Sequence, residues 1–274
     1  MSMHVVLIDA LNLIRRIYAV QERPFLLNKN GLADDQLSES TKQQILTNTQ
    51  QACSLALSKI LTQMQATHAL AVFDSDLPCW RYQLYSDYKK GRKKMPNYLA
   101  SALTDIQDTL MQQNVDSLIS DEDEADDLIA TLAVKVAIRG QKVTIISTDK
   151  GFLSLINQNI NVYDYFNKRY LDEDHIQNKF NVKSHQLIDF WMLTGDSTNR
   201  IPGVSGIGQV TASSLLNQYQ SLTSLVKADD LKTNIHNKLV EAKEQFKMTR
   251  QLLTLKQDIP LGFNLKDIRL TNVS

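Results

Sequence analysis

The sequence predicts an α/β fold: a parallel, doubly wound sheet flanked by helices, followed by a helical C-terminal subdomain. Through about residue 183, short apolar runs alternate with segments of helical periodicity. This alternation is typical of parallel strands joined by crossover helices. After about residue 184 the strand-like runs stop. We therefore predict an α/β domain over residues 1–183 and a helical subdomain over residues 184–274.

The first half of the predicted sheet comes from two buried strands. Residues 4–8 (HVVLI) predict a strand, followed by a helix to about Val20. Residues 22–35 are polar, contain Pro24 and Gly31, and predict a loop. A long helix is expected to follow, with Ile45 and Ile60 on its apolar face, and then a second strand at residues 69–73 (ALAVF).

The second half continues the alternation. We expect a helix over about residues 98–113, a short strand at Leu118 and Ile119, and an amphipathic helix over residues 124–138 (EADDLIATLAVKVAI). Residues 142–147 (KVTIIS) predict a strand, and a helix is expected to start at Gly151.

Composition excludes several classes of protein. The 274 residues are 43% hydrophobic, enough for a large buried core, which excludes a disordered tail or a disulfide scaffold. No apolar run approaches the ~20 residues of a membrane span, so we expect no membrane association. Cys53 and Cys79 are far apart and belong to no metal-binding motif, so we expect reduced thiols and a cytoplasmic location.

The charges are segregated along the chain, although 30 Lys and Arg balance 30 Asp and Glu. Between Arg81 and Lys94 there are six cationic residues and one acid, and residues 116–127 contain seven acids and no base. Each run alone is compatible with a solvated surface. Together they favour a hard cation held by carboxylates beside a basic segment that binds a phosphodiester.

Aspartates follow three predicted strands. Asp9, Asp74 and Asp149 come at or just after strand ends, and the acidic stretch 124–127 (EADD) opens a helix after a fourth strand. Ligands of open α/β sheets bind at the carboxyl ends of the strands. Because converging carboxylates repel one another, this pattern predicts a divalent cation, with Mg²⁺ as the best match.

The basic segment contains Tyr88-Lys89-Lys90-Gly91-Arg92. If it is helical, Lys89 and Arg92 share one face and grip a phosphate, while Tyr88 and Trp80 offer rings on which an unpaired base stacks. The alternative is a solvated loop with buried aromatic side chains.

A glycine-rich turn, residues 202–212 (PGVSGIGQVTA), precedes a predicted helix. Exposed amides at a helix N-terminus bind a DNA backbone phosphate without reading sequence. The spacing favours a helix–hairpin–helix, and an ordinary turn between helices is the alternative.

These motifs, together with Ser147-Thr148-Asp149-Lys150 and Thr194-Gly195-Asp196, resemble the bacterial 5′–3′ exonuclease and flap endonuclease family over nearly the whole chain. Within it, the sequence is most similar to the free-standing, exonuclease IX-like branch. The resemblance implies a PIN-like nuclease core, a basic helical arch at about residues 80–97, and a helix–three-turn–helix subdomain with a helix–hairpin–helix at 202–212.

The resemblance also implies roles for individual residues. It implies two Mg²⁺ ions per chain, replaceable by Mn²⁺, held by Asp9, Asp74, Glu124, Asp126, Asp127, Asp149 and Asp196. The catalytic residues would be Asp9, Asp74, Lys89, Arg92, Glu124, Asp126 and Asp127, with Tyr88 stacking near the scissile phosphate. DNA would bind at Tyr88, Lys89, Arg92, Gly206, Ile207, Gly208, Gln209, Val210 and Thr211. One K⁺ would bind carbonyls of Leu193, Thr194, Pro202, Val204 and Ile207.

Two positions depart from the family pattern. Gly151 and Asn199 stand where acids of a second metal cluster are usual, so that cluster keeps only Asp149 and Asp196. Either the second site is weakened, or both ions bind at the first cluster.

The function that we expect is metal-dependent hydrolysis of 5′-flap or branched DNA in replication or repair, by a monomer with no obligate protein partner. Two alternatives remain: a branched-DNA-binding protein with weak or no nuclease activity, and an RNA-directed nuclease. A phosphatase with a nucleophilic aspartate fits poorly, because Asp9 has no second acid two residues later.

Overall fold

A computed structural model describes residues 3–27, 37–75, 77–119 and 122–271. Across these residues a six-stranded sheet has the order β3-β2-β1-β4-β5-β6. Strands β1 to β5 are parallel, and β6 is antiparallel to β5. The strands are β1 His4–Asp9, β2 His68–Phe73, β3 Asp116–Ile119, β4 Lys142–Ile146, β5 Ile160–Asp164 and β6 Arg169–Tyr170. The predicted α/β fold class is confirmed.

Helices cover both faces of the sheet. The N-terminal helices and the helices before β3 pack on one face, and α6 with the C-terminal helices packs on the other. The helices are α1 Ala10–Leu27, α2 Glu39–Met64, α3 Trp80–Leu84, α4 Asn97–Ser101, α5 Leu103–Met111, α6 Ala125–Ala137, α7 Glu173–Phe180, α8 Leu187–Thr194, α9 Gln209–Tyr219, α10 Leu222–Val226, α11 Thr233–Glu241 and α12 Phe246–Leu253. None of these helices is long and apolar enough to cross a membrane.

The C-terminal helices share an apolar core with the sheet. One continuous cluster of buried side chains runs from Val5 in β1 to Ile268 near the C-terminus. The chain then returns to the sheet, where the Leu270 amide donates to the Thr67 carbonyl at 3.0 Å. The change predicted near residue 184 is therefore a change of secondary structure within one packed body.

Helix α1 is longer than the sequence predicts. It continues to Leu27 through Pro24, so the loop expected from residue 22 is wrong for residues 22–27. Residues 28–35 of that loop lie outside the described residues. A buried Glu22 carboxylate, which accepts hydrogen bonds from Tyr18 and Tyr98, anchors this last part of the helix.

The basic segment is not a helical arch in this structure. Helix α3 ends at Leu84, and turns and backbone without regular secondary structure follow up to Pro96. Lys89 and Gly91 have φ values of +52° and +80°, which a right-handed helix excludes. Lys89 and Arg92 therefore do not share a helix face, contrary to the sequence-based expectation.

Further differences lie on the β4–β6 side. The sequence did not predict β5 and β6, which are short and follow a polar stretch. The helix expected at Gly151 is a 3₁₀ helix, Lys150–Leu155. Helix α6 is mostly buried rather than amphipathic, because the C-terminal segment covers it and the Lys256 carbonyl accepts from Thr131.

A close backbone contact joins the end of α8 to the glycine-rich turn. A Cβ atom at Gly203 would lie 2.3 Å from the Gly195 nitrogen. We expect Gly203→Ala to lower the free energy of unfolding by about 1–3 kcal/mol, because the clash is with backbone. Gly208→Ala is the matched control: a Cβ there meets nothing within 4 Å, so the free energy of unfolding should fall only by the cost of alanine at the N-cap of α9, below about 1 kcal/mol. Equal effects of the two substitutions would contradict this account.

Candidate active site

Four carboxylates meet at the carboxyl edge of the sheet. Asp9 ends β1, and Asp74 and Asp149 follow β2 and β4; because these strands are parallel, all three project over one edge. Asp126 lies in the first turn of α6, which follows β3. These four residues, the carboxylate cluster, line a cavity of about 640 Å³, the main cavity.

Neutral donors hold three of these carboxylates in place. The Ser147 hydroxyl donates to Asp9 at 2.7 Å, and the Ala125 amide donates to Asp74 at 2.8 Å. The Gly151 amide donates to Asp149 at 2.7 Å. Among the described residues, no ion pair joins any member of the cluster to a cation. The hydrogen bonds fix the positions of these groups without neutralising their charge.

The carboxylate cluster is electrostatically strained. Burial, with the charges of Asp149 and Asp74, raises the pKa of Asp9 to about 7. Burial and the charges of Asp149 and Asp9 raise the pKa of Asp126 well above its ordinary value. A bound cation would relieve both effects.

The donor set fits a hydrated divalent cation. In the described part of the chain, no group of three or more Asp, Glu, His or Cys side chains is arranged to hold an ion directly. Hard cations such as Mg²⁺ keep several water ligands and take one or two carboxylates. Oxygen donors around a cavity of this size match that mode of binding.

Cations line the same cavity. They come from α1 and from the basic segment, and they are Arg15, Arg16, Lys89, Lys90, Arg92, Lys93 and Lys94. Arg15 donates to the Lys93 carbonyl at 2.9 Å and so ties the segment to α1. The sequence did not indicate Arg15 and Arg16 as site residues. They reach the main cavity because they lie in α1, which begins directly after Asp9. Carboxylates and cations in one cavity suit a phosphodiester bound together with a metal ion.

Glu124 is engaged by three donors. Tyr88 donates to it at 2.9 Å, Arg81 at 2.7 Å, and Lys89 also pairs with it. Burial alone would lower the pKa of Lys89, but Glu124 and Asp126 raise it, so the ammonium stays charged. Glu124 therefore holds Lys89 at the wall of the main cavity.

Tyr88 is only 3% exposed, and burial and Glu124 raise the pKa of its hydroxyl. Its ring offers no open face for a base in this structure. The exposed ring of this wall belongs to Tyr82, which is 40% exposed and packs edge-on against Tyr88 with centroids 5.5 Å apart. The sequence did not single out Tyr82.

Asp127 points away from the main cavity. It is fully buried and makes two hydrogen bonds with Arg81, at 2.6 and 2.7 Å. It also accepts from Trp80 and from the Lys256 amide. The cationic groups of Arg81 and Lys256 lie over the Trp80 ring, at 4.4 and 4.8 Å from its centre.

Asp196 lies behind the main cavity. It borders a small cavity of about 30 Å³ that Asp126 and Asp149 also line. The Lys150 ammonium pairs with Asp196 at 2.7 Å, and the Asn199 side-chain amide donates to it at 2.8 Å. At the position of the second metal cluster that the sequence analysis described, Asp196 therefore forms an ion pair with Lys150.

The glycine-rich turn, residues 202–212, leads into α9 at Gln209. Gly206, Gly208, Gln209 and Val210 are exposed, Thr211 is partly exposed, and Ile207 is buried. The turn packs on the end of α8, where the Val204 amide donates to the Leu193 carbonyl at 2.8 Å. Lys238, which the sequence did not single out, adds a cation at this surface and donates to the Gly206 carbonyl at 3.0 Å.

Comparison with known proteins identifies the family. Residues 4–181 match the 5′–3′ exonuclease N-terminal resolvase-like domain, and residues 182–274 match the 5′–3′ exonuclease C-terminal SAM fold. The chain belongs to the 5′–3′ exonuclease family. Members of this family are nucleases, so this chain is an enzyme that hydrolyses phosphodiester bonds.

Relatives match over the full length. The chain is 68% identical to the flap endonuclease Xni of Colwellia psychrerythraea, covering 100% of this chain and 94% of the relative. It is 44% identical to the flap endonuclease Xni of Photobacterium profundum, covering 98% of each.

Solved structures show the same fold. The bacteriophage T5 5′-exonuclease with bound zinc ions has a TM-score of 0.71 at 17% identity, over 91% of this chain and 89% of that one. The T5 flap endonuclease complexed with DNA and metal ions has a TM-score of 0.67 at 17% identity, over 92% and 89%.

Proposed function

We propose that this nuclease cleaves 5′-flap or branched DNA in a Mg²⁺-dependent reaction during replication or repair. The observation that carries the proposal is the main cavity, where four carboxylates face seven cations. The full-length relatives named as flap endonucleases support the choice of substrate. In this proposal residues 1–183 form the nuclease domain and residues 184–274 the DNA-binding subdomain. The free, buried thiols of Cys53 and Cys79 support a cytoplasmic setting.

Mg²⁺ would be held by Asp9, Asp74, Asp126 and Asp149, in part through its water ligands, and Mn²⁺ has the same oxygen preference. The bound cation would supply Lewis-acid activation of water and stabilise charge on the leaving 3′-oxygen. The strained charges of the carboxylate cluster provide the affinity, because a cation relieves their repulsion. Neither Glu124 nor Asp127 is free for this role, since both are engaged by Arg81.

The basic wall would bind and orient the phosphodiester. Lys89, fixed by Glu124, and Arg92 lie beside the carboxylate cluster and neutralise the phosphate as charge develops on it. Arg15 and Arg16 extend the cationic surface along α1. The exposed ring of Tyr82 is the better placed aromatic for stacking an unpaired base.

The glycine-rich turn would hold the duplex. Its exposed amides at the start of α9 suit a backbone phosphate, and Lys238 adds a charge next to them. K⁺ would bind backbone carbonyls of Leu193, Thr194, Pro202, Val204 and Ile207, at the contact between the turn and α8. Such an ion would rigidify the turn and offset phosphate charge.

A substrate panel tests the proposal. End-labelled 5′-flap duplex, nicked duplex, blunt duplex, and a flap of RNA are incubated with the enzyme and Mg²⁺, and binding is measured in parallel with Ca²⁺ in place of Mg²⁺. We expect cleavage at the flap junction, faster for DNA flaps than for the other substrates. Tight flap binding without cleavage would favour the branched-DNA-binding alternative, and preferred cleavage of the RNA flap would favour an RNA-directed nuclease.

The pKa of Asp9 gives a prediction about stability. Its pKa in the folded protein is about 7, above the ordinary value, so the metal-free fold loses stability as pH rises from about 4 towards 7. Bound Mg²⁺ removes this penalty. We therefore expect saturating Mg²⁺ to raise the melting temperature more at about pH 8 than at about pH 5.5, measured by scanning calorimetry. In Asp9→Asn the difference between the two pH values should shrink; equal shifts in the wild type would refute the prediction.

A further inference from the structure

The Lys150 ammonium lies at Asp196, one of the carboxylates that would bind an ion of the second metal cluster. Its ammonium contacts the Asp196 carboxylate at 2.7 Å and lies 5.4 Å above the centre of the Trp191 ring. The Asp196 side chain is only 4% exposed and the Lys150 side chain 28%. A buried carboxylate thus receives its compensating charge from the chain itself.

Both oxygens of Asp196 are already engaged by donors. Oδ1 accepts from the Lys150 ammonium and from the Thr198 amide at 3.0 Å, and Oδ2 accepts from the Asn199 side-chain amide at 2.8 Å. All of these partners are hydrogen-bond donors, whereas a divalent cation needs oxygen donors around it. The residues at this position therefore fit an ammonium and do not fit a second divalent ion.

The site leaves little room for a side chain at Gly151, where the family pattern has an acid. A Cβ atom at Gly151 would lie 3.2 Å from Asp149 Oδ1, tighter than ordinary contact, and the Gly151 amide already donates to that oxygen. The space between Asp149 and Asp196 is only the small cavity of about 30 Å³, which Lys150 and Asn199 line. Gly151 and Asn199 thus supply no acid here, and the positive charge beside Asp196 comes from Lys150.

We propose that the ammonium of Lys150 is a resident cation that replaces a second divalent ion at Asp196, so that divalent ions bind only at the carboxylate cluster. The inference rests on the proposed function, because it presumes metal binding in the main cavity. Lys150 then acts as a positioning residue: it keeps Asp196 paired and places a fixed positive charge on the small cavity behind the metal. Unlike a dissociable ion, that charge is present at any metal concentration.

Counting bound metal tests the proposal without reference to activity. Mn²⁺ bound per chain is measured by electron paramagnetic resonance for the full-length wild type, Asp196→Asn and Lys150→Met. We expect Asp196→Asn to bind as many ions as the wild type, and Lys150→Met to bind one more. Lys150→Arg, which keeps the cation, should gain none. Arg250→Met is the matched control, because it breaks an ion pair with Asp189, and neither residue of that pair lines either cavity.

The outcomes separate the two proposals. Loss of one ion in Asp196→Asn, or no gain in Lys150→Met, would overturn the role of Lys150 and leave the proposed nuclease site standing. Absence of Mn²⁺ binding to the wild type would instead overturn the metal site in the main cavity. If Lys150→Met fails to fold, the count for Asp196→Asn decides alone.

Discussion

An Asp126→Asn variant is expected to cleave 5′-flap DNA at least about a hundredfold more slowly than the wild type, with an intact fold. The carboxylate lies in the main cavity with Asp9, Asp74 and Asp149, so its loss would remove one of the proposed metal ligands. A cation in such a site supplies several kcal/mol of transition-state stabilisation, and a loss of about 3 kcal/mol corresponds to a factor of about a hundred.

The same substitution should stabilise the metal-free protein. Burial and the charges of Asp149 and Asp9 raise the pKa of Asp126, so a neutral amide relieves repulsion. The rate is measured under single-turnover conditions with saturating Mg²⁺, and stability by thermal unfolding in chelator. Asp127→Asn is the matched control, because its side chain faces Arg81 instead of the cavity. It should lower stability and, below its melting temperature, retain most of the cleavage. Full activity in Asp126→Asn would remove this residue from the site.

Replacement of Arg81 by methionine is expected to lower the free energy of unfolding by about 3–5 kcal/mol. The guanidinium is 1% exposed and pairs with Asp127 and Glu124. It also donates to the carbonyls of Leu252 and Thr254, and so joins α3 and α6 to the end of α12. Methionine would fill the space but would leave the buried Asp127 carboxylate without a cation and Glu124 with Lys89 alone.

Urea unfolding followed by circular dichroism measures the effect. Arg92→Met is the matched control, because Arg92 is exposed, and its replacement should change stability by no more than about 0.5 kcal/mol. The loss of unfolding free energy in Arg81→Lys should lie between those of the two methionine variants, since an ammonium restores the charge but not the paired hydrogen bonds. A loss below about 1 kcal/mol in Arg81→Met would show that the buried ion pairs do not hold these helices together.

The sheet and its functional edge could be predicted because the signals are local. Continuous apolar runs fix β1 and β2, and a strand end followed by aspartate places Asp9, Asp74 and Asp149 at one edge once the strands are parallel. The first turn of α6 lies at the same edge because α6 follows β3, which is parallel to β2. Strand β5 was not predicted because it follows a polar stretch. Its last residue, Asp164, accepts hydrogen bonds from amides of the turn to β6 and does not join the site.

Which carboxylate of the acidic stretch faces the cavity could not be read from the sequence. Asp126 and Asp127 are adjacent, and the choice between them depends on Arg81, a distant and wholly buried residue of the basic segment. The path of that segment was equally hidden, because the positive φ of Lys89 depends on a hydrogen bond from its amide to the Asn199 carbonyl. Contacts between residues far apart in sequence therefore set the details of the site.

Cleavage of a labelled 5′-flap duplex by the wild-type enzyme tests the central claim most directly. The reaction is run in chelator, then with excess Mg²⁺ added to the same sample. The account predicts no product in chelator and rapid cleavage at the flap junction after Mg²⁺ is added. Cleavage that persists in chelator, or none after Mg²⁺ addition despite flap binding, would contradict a metal-dependent nuclease site in the main cavity.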